Sequence, residues 1–374
     1  MELSIIILNY NAAAFLEICI ESVLRATTNI NAEIIVADNN STDSSLEMLH
    51  FVFKDQIKVL AFDENHGFSK GNNLAVENAS GDYLCILNPD TIVGEMVFEE
   101  CLAFARRPDF AFAKAKQQLG FIGTQLIDGT GAYLPESKRH IPAPKVARQK
   151  LLGNDSQYYF NEIDKDARGP VEVLVGAFMF CKKEVYEDCG GFDERYFMYG
   201  EDIDLSYTAL QKGYENYYLG DLKVIHFKGE STVKDKAYFQ RFYGAMGLFY
   251  DKYFKQSALE KKAIDLMIKG MIAVKSNSQS DKIKDHDLVL VSDENDVVVN
   301  GISQVIKFSD VYDSPWQETI PFLWDLKSLI ISEVIEFMIH TQNERIKHRF
   351  LSSNRDFYIG SDRSNSRGIV RNIQ

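Results

Sequence analysis

The chain has 374 residues, 45% hydrophobic and 25% charged, with a net charge of −13. That length supports a large core and more than one domain, and the composition is ordinary for a globular protein. The acidic balance argues against bulk nucleic-acid binding, which needs a basic face; an acidic substrate would need a metal or locally placed Lys and Arg.

Residues 3–8 (LSIIIL) form a short β-branched apolar run. The turn NYNA follows, then a helical pattern from Phe15 to Leu24 with Leu16, Ile20, Val23 and Leu24 on one face. Residues 33–37 (EIIVA) predict a second strand ending at Asp38, after which Ser41 or Thr42 suits a helix cap. Residues 57–62 (IKVLAF) and 82–87 (DYLCIL) predict a third and a fourth strand, the last running into Asn88-Pro89-Asp90. Strands alternating with helices predict βαβ units and a mostly parallel sheet, and continuous apolar strands are buried on both faces. Short polar side chains gather after the strand ends: Asn9 and Asn11, Asp38 to Ser41, Asn65 to Asn73, Asn88 to Asp90. Loops are rich in Asn, Asp and Gly in any case. Successive loops of this kind on one edge are different, because that edge is where open α/β sheets bind ligands.

From 110 to 170 the pattern breaks up. Residues 135–150 (PESKRHIPAPKVARQK) are basic and contain proline, which predicts an exposed, solvated loop, with a lid or acceptor-facing segment as the alternative. Residues 171–181 (VEVLVGAFMFC) predict a buried strand, Glu201 opens a helical pattern, and LKVIHF (222–227) predicts another strand. Residues 237–254 carry aromatics all round a helical repeat. This favours a helix packed on the main domain over a lipid-facing surface. SNSQSDKIKD (276–285) reads as a linker. Strands near 288–292 and 357–359 and an amphipathic helix near 325–340 then predict a small C-terminal α/β appendage, dividing the chain into 1–255, 256–284 and 285–374. Cys19, Cys85, Cys101, Cys181 and Cys189 form no CxxC pair and predict buried free thiols in a reducing compartment. With no signal-peptide pattern and no apolar run near the ~20 residues of a membrane span, the expectation is a cytoplasmic protein, with peripheral contact at the inner face of the membrane as a candidate.

Three places could carry chemistry. An Asp at a strand end, Asp90, can hold a hard divalent cation, and a cation so held can bridge two phosphates; Asn-Pro-Asp alone is also a plain turn. His226 ends an apolar strand, where a histidine is often a satisfied core residue but can also join oxygen ligands around Mn²⁺ or Mg²⁺. In FMYGEDIDLS (197–206), Glu201, Asp202 and Asp204 crowd a predicted helix start. The macrodipole favours acids there, which accounts for one or two of them; one could instead act as a general base on a hydroxyl.

Six stretches then match a family in order: IIILNYN (5–11), VADNNSTD (36–43), NHGFSKGNN (65–73), LNPDT (87–91), VGAFMFCKKEVYEDCGGFDERYFMYGEDIDLSYTALQKGY (175–214) and VIHFKGEST (224–232). Over about residues 1–255 the chain resembles the family 2 glycosyltransferases, most closely their rhamnosyltransferase-like branch. The resemblance implies a GT-A fold, a nucleotide-sugar donor and an inverting single displacement. It implies that Asn9, Tyr10 and Asn11 line the nucleoside pocket, that Asp38 contacts the pyrimidine with Asn40 or Ser41 nearby, and that Asn65, Gly67, Lys70 and Asn72 shape the base and ribose floor. Asn88 and Asp90 resemble the family's DxD motif, with Asp90 as metal ligand and Asn88 in the first position as a weaker ligand than Asp. His226 resembles the second ligand of a divalent Mn²⁺ or Mg²⁺. Asp202 resembles the catalytic base, with Glu201 positioning the acceptor or holding Asp202; like charges and partial burial work to raise the pKa of such a base. Asp204 is a helix or ion-pair residue or, alternatively, the base; Gly176, Tyr199 and Asp204 are the candidate acceptor and sugar contacts. The partners implied are a dTDP- or UDP-sugar and a glycan or lipid-linked saccharide in bacterial surface polysaccharide assembly, with a homo-oligomer or a scaffolding role for residues 285–374. A nucleotidyltransferase would want a Gly- and basic-rich loop near the N-terminus, and LNYNAAAFL (8–16) has no Lys or Arg. The alternative from another class is a non-catalytic nucleotide- or sugar-binding protein on a decayed scaffold.

Overall fold

The structure is a computed structural model. It describes residues 1–107, 118–144, 146, 149, 154–228, 236–254, 288–302, 304–312, 321–342, 346–362 and 368–373, without the side chains of 236, 237 and 239. The predicted linker, the segment 256–284 and Gly229 to Thr232 of the last motif lie outside these residues.

The apolar runs form the first strands: β1 (Leu3–Asn9), β2 (Ala32–Asp38), β3 (Lys58–Ala61) and β4 (Tyr83–Leu87). They are followed by β5 (Thr91–Val93), β6 (Gln118–Ile127), β7 (Lys138–Arg139), β8 (Arg168–Val171), β9 (Val173–Leu174), β10 (Phe178–Lys182) and β11 (Tyr214–His226). Among the described residues a nine-stranded sheet runs β3-β2-β1-β4-β10-β6-β11-β5, with β8 beside β11. Its first four strands are parallel. Beyond them β10 runs antiparallel to β4 and β6, and β5 and β8 antiparallel to β11, so the expected mostly parallel sheet is in fact mixed. The run 171–181 is not one strand either. It breaks at Glu172, between β8 and β9, and again after Leu174, and resumes at Phe178; Gly176 in the second gap has a hydrogen-bond partner described below. Helix α1 (Ala13–Ala26) buries Leu16, Cys19, Ile20 and Val23 in the main core. All five cysteines are free, and burial pushes the Cys19 thiol up to about 12.

The C-terminal part is larger than the sequence suggests. Strands β12 (Val289–Val291), β13 (Gln304–Ile306), β14 (Phe322–Asp325), β15 (His348–Leu351), β16 (Phe357–Gly360) and β17 (Ile369–Asn372) form a second, six-stranded sheet ordered β13-β12-β14-β15-β16-β17. It shares a core with the first: Phe15, Ile18, Ile92, Ile225 and Phe227 pack with Trp324, Phe337 and Phe350. Arg25 of α1 adds hydrogen bonds to the carbonyls of Leu326 and Leu329 and to Glu95.

Candidate functional site

The loops at the C-terminal ends of β1, β2 and β4 meet on one edge. Buried Asn9 donates from Nδ2 to Asp38 Oδ1 (2.8 Å) and Ser41 Oγ (3.1 Å), and Asp38 Oδ2 accepts the Ser41 N–H (2.8 Å). Asp38 is fully buried, so its carboxylate shapes this loop from beneath. Asn11, at φ +53°, accepts the Thr42 N–H at Oδ1 (2.7 Å), tying the two loops together at their rim. Tyr10, Asn11 and Ser41 are half-buried and Asn40 is exposed at φ +63°.

A residue passed over in the sequence, Asn39, joins this loop to the next. Its Nδ2 donates to Asn65 Oδ1 (3.0 Å) and the Gly67 carbonyl (3.1 Å), and its Oδ1 accepts the His66 N–H (2.9 Å). The next helix, Gly67–Val76, carries Lys70 half-buried; Asn72 is fully buried and turns back to the Phe68 carbonyl (2.9 Å). This helix start touches the aromatic run: the Phe68 N–H donates to the Phe197 carbonyl (2.6 Å).

At the end of β4, Asn88, Asp90 and His226 come together. His226 Nε2 lies 3.3 Å from Asp90 Oδ1 and 3.3 Å from Asn88 Nδ2, since β11 pairs with β5 so that His226 faces Thr91. Asp90 and His226 are buried, and Asn88 Oδ1 and His226 Nδ1 are buried atoms without a hydrogen-bond partner among the described residues. A carboxylate and an imidazole 3.3 Å apart, with the Asn88 amide beside them, fit a divalent cation whose other ligands are phosphate oxygens and water. No group of three His, Cys, Asp or Glu side chains able to hold a metal occurs among the described residues. Lys228, at φ +60°, pairs with Glu136 beside this cluster. Burial raises the Glu136 pKa, but Lys228 and His226 outweigh it and hold the carboxyl below the usual range.

The three acids occupy the first turn of the helix Glu201–Gln211, preceded by Tyr199 and Gly200 in left-handed conformations. They part company there. Asp202 Oδ2 accepts from Arg139 Nη2 (2.6 Å) and the Gly176 N–H (3.0 Å), while Oδ1 accepts the Ile203 N–H (2.8 Å). Glu201 is buried with Oε2 unpartnered; burial, then the charges of Asp202 and Asp204, push its carboxyl well above the usual range. Asp204 accepts from Tyr196 (3.2 Å) and pairs with Lys252 (2.7 Å), the ion-pair role weighed for it. Tyr199 packs edge-on against Tyr238 and Phe242 of the aromatic helix Lys236–Tyr253. Phe249 and Tyr250 of that helix are buried against Ile141, Ile203 and Tyr207, so it packs on the site. No helix among the described residues is long and apolar enough to cross a membrane.

The expectation of a solvated loop at 135–150 fails for its described first part. Lys138 and Arg139 form β7, pair with β9 and are buried. Lys138 Nζ donates to the Phe160 and Ile163 carbonyls, and Arg139 Nη2 donates to Asp202 and the Leu174 carbonyl, while Arg139 Nε has no hydrogen-bond partner among the described residues. The two halves of the site are joined by the dipeptide Gly176-Ala177. The Gly176 N–H reaches Asp202, and the Ala177 carbonyl accepts the Asn88 N–H (3.0 Å).

The chain matches the model of the family described as glycosyl transferase family 2 over residues 4–190. The N-acetylglucosaminyl-diphospho-decaprenol L-rhamnosyltransferase of Mycobacterium tuberculosis is 25% identical over 252 residues, covering 63% of this chain and 79% of that protein. The low-salt glycan biosynthesis hexosyltransferase Agl10 of Haloferax volcanii is 25% identical over 268 residues, 71% and 78% of the two chains. Among solved structures, S. aureus TarS aligns with a TM-score of 0.46 and 17% identity, covering 74% of this chain and 44% of that one.

Proposed function

The chain belongs to glycosyl transferase family 2, and from that premise we propose that it transfers a sugar, with inversion, from a dTDP- or UDP-sugar to a hydroxyl of a glycan or lipid-linked saccharide. The observation that carries this reading is the Gly176-Ala177 link. Gly176 donates to the Asp202 carboxylate and the adjacent Ala177 accepts from the Asn88 N–H, so two neighbouring residues bond both the proposed base and the backbone of the segment where a diphosphate would leave.

In this mechanism the acceptor oxygen bonds to the anomeric carbon as the bond to the diphosphate oxygen breaks. The hydroxyl proton passes to Asp202. Glu201, whose carboxyl burial pushes above the usual range, would position the acceptor or hold Asp202. Asp90 and His226, with Asn88, would hold Mn²⁺ or Mg²⁺, which when bound neutralises charge on the departing nucleoside diphosphate. Asn9, Tyr10 and Asn11 would line the nucleoside pocket, Asp38 would contact the pyrimidine with Asn40 or Ser41 nearby, and Asn65, Gly67, Lys70 and Asn72 would shape the base and ribose floor. Gly176 and Tyr199 border the acceptor side, and Asp204 holds the aromatic helix there through Lys252. Rhamnose or another hexose as the donor sugar and a lipid-linked acceptor are drawn from the names of the two relatives; a cytoplasmic enzyme meeting that acceptor at the inner face of the membrane is the setting we propose. We divide the chain at 255 and 285 and assign the C-terminal unit a scaffolding role, supported by the core it shares with α1.

Calorimetry with UDP, dTDP, GDP and CMP, each with and without Mn²⁺ or Mg²⁺, tests the donor site without an acceptor. The expected result is cation-dependent binding of dTDP or UDP. A preference for GDP overturns the pyrimidine assignment, and absence of binding by the folded protein overturns the donor site.

A further inference from the structure

Arg139 stands in a segment whose sequence reads as a solvated loop, yet its side chain and that of Asp202 are only 8% and 10% exposed. A carboxylate offers about four lone-pair positions. Both on Oδ2 are taken, one by Arg139 and one by the Gly176 N–H. On Oδ1 the Ile203 N–H takes one, which leaves a single position there. We infer that Arg139 is a positioning residue for transfer: it balances the charge of Asp202 and keeps it turned so that only Oδ1 can receive the acceptor's proton. This rests on Asp202 being the general base.

The charges around Asp202 make such a partner necessary. Glu201 and Asp204 project from the same turn, and both disfavour a second negative charge. Lys252, from the aromatic helix, is committed to Asp204 and Asp193. Tyr158 interacts with Arg139 itself and brings no positive charge. Arg139 is therefore the cation in direct contact with Asp202 among the described residues. A guanidinium does not lose its proton in the working pH range, and its planar fork can hold a carbonyl and a carboxylate together. Here Nη2 does so, reaching the Leu174 carbonyl at 2.8 Å and Asp202 at 2.6 Å. The β7–β9 pairing fixes the Arg139 backbone opposite Val173, so the side chain has little freedom to leave.

The test is a titration of the Asp202 carboxyl by ¹³C NMR in protein labelled at aspartate Cγ, with the signal assigned by its absence in Asp202→Asn. It is run on wild type, Arg139→Lys and Arg139→Met. It is paired with the pH profile of nucleoside diphosphate release from dTDP-rhamnose and UDP-GlcNAc, water being the acceptor. Expected are protonation of Asp202 at higher pH in Arg139→Met than in wild type, a smaller displacement in Arg139→Lys, and an acidic limb of the rate profile that moves with it. The rate at pH 7 should fall by about 10²-fold in Arg139→Met, the low end for a general base, and free guanidinium should restore part of it. A side chain with a merely structural role would lower the rate or the melting point and leave the carboxyl titration where it was; that result overturns the inference. Should Arg139→Met not fold, the charge-conserving Arg139→Lys decides by the same titration. If Asp202→Asn keeps its rate within about tenfold, the base assignment itself fails; if it loses the rate while both Arg139 variants titrate like wild type, only the role of Arg139 fails.

Discussion

Gly67→Ala should uncouple the donor loops from the helix that carries the acids. Gly67 has φ +77°, and a Cβ there would lie 2.4 Å from the Phe197 carbonyl oxygen and 2.7 Å from its ring. The residue cannot slide away, because Asn65 Oδ1 holds its N–H (2.9 Å) and Asn39 Nδ2 its carbonyl (3.1 Å). A left-handed backbone costs an L-residue roughly 1–2 kcal/mol. Losing the Phe68–Phe197 hydrogen bond costs roughly 0.5–1.5 kcal/mol more. The sum, about 1.5–3.5 kcal/mol, lowers the melting temperature by several degrees in a protein of this size. Gly190→Ala is the control: it has φ +82° but nothing within 4 Å of its Cβ, so it bears the backbone penalty alone. Thermal denaturation of both variants, with calorimetry of nucleotide binding, separates the two contributions. Gly67→Ala should melt below Gly190→Ala and bind nucleotide more weakly. Equal melting points, or unchanged nucleotide affinity in Gly67→Ala, would refute the claim that this contact holds the two halves of the site together.

Asp202→Asn should lower transfer by about 10²–10⁴-fold, the range for a general base, with nucleotide affinity by calorimetry close to wild type. His226→Ala should leave a folded protein whose nucleotide binding no longer responds to Mn²⁺; a wild-type response in the same titration would remove His226 from the cation site. Stability should fall as pH rises from about 5 to about 8. Burial, then neighbouring acids, lift Glu17 to about 7, and burial outweighs the Ser353 hydrogen bonds to lift Glu21 to about 7, against 4.5 for both when unfolded. Between those values the folded state binds more protons than the unfolded one, so its stability drains away through that window. Glu17→Gln should flatten the slope of melting temperature against pH, and a variant with the wild-type slope would count against it.

What the sequence displays of the fold is what burial on both faces leaves there. β1, β2 and β4 are continuous apolar runs and read as strands. β6 is just as buried, but its QLGFIGTQLI carries Thr124 and Gln125 in the interior and offers no uniform run. The second sheet hides for a related reason: His348 and Arg349 are fully buried within β15, where a sequence reader expects surface. The binding loops are legible because residues that meet a ligand at strand ends must be small and polar, and these stand together in the chain. The residues that hold them in place share no such local mark. Arg139 meets Asp202 across 63 positions, and Asn39 meets Asn65 across 26. Either pairing exists only once the sheet has formed.

The second break in the run 171–181 shows how the two kinds of information combine. Nothing in VEVLVGAFMFC requires a strand to stop, since Val, Leu and Phe all favour extension. In the gap Gly176 gives its N–H to Asp202 and a side chain there is constrained too: a Cβ on Gly176 would come within 3.3 Å of the Asp202 Cβ. One residue later the Ala177 carbonyl accepts from Asn88, and β10 resumes against β4. The same short stretch therefore ends one strand, seats the proposed base and sets its place against the cation cluster. The family match over residues 4–190 contains the dipeptide but ends before Asp202 and His226. With Arg139, the dipeptide is thus one of the places at which the matched part of the chain takes hold of Asp202 beyond it.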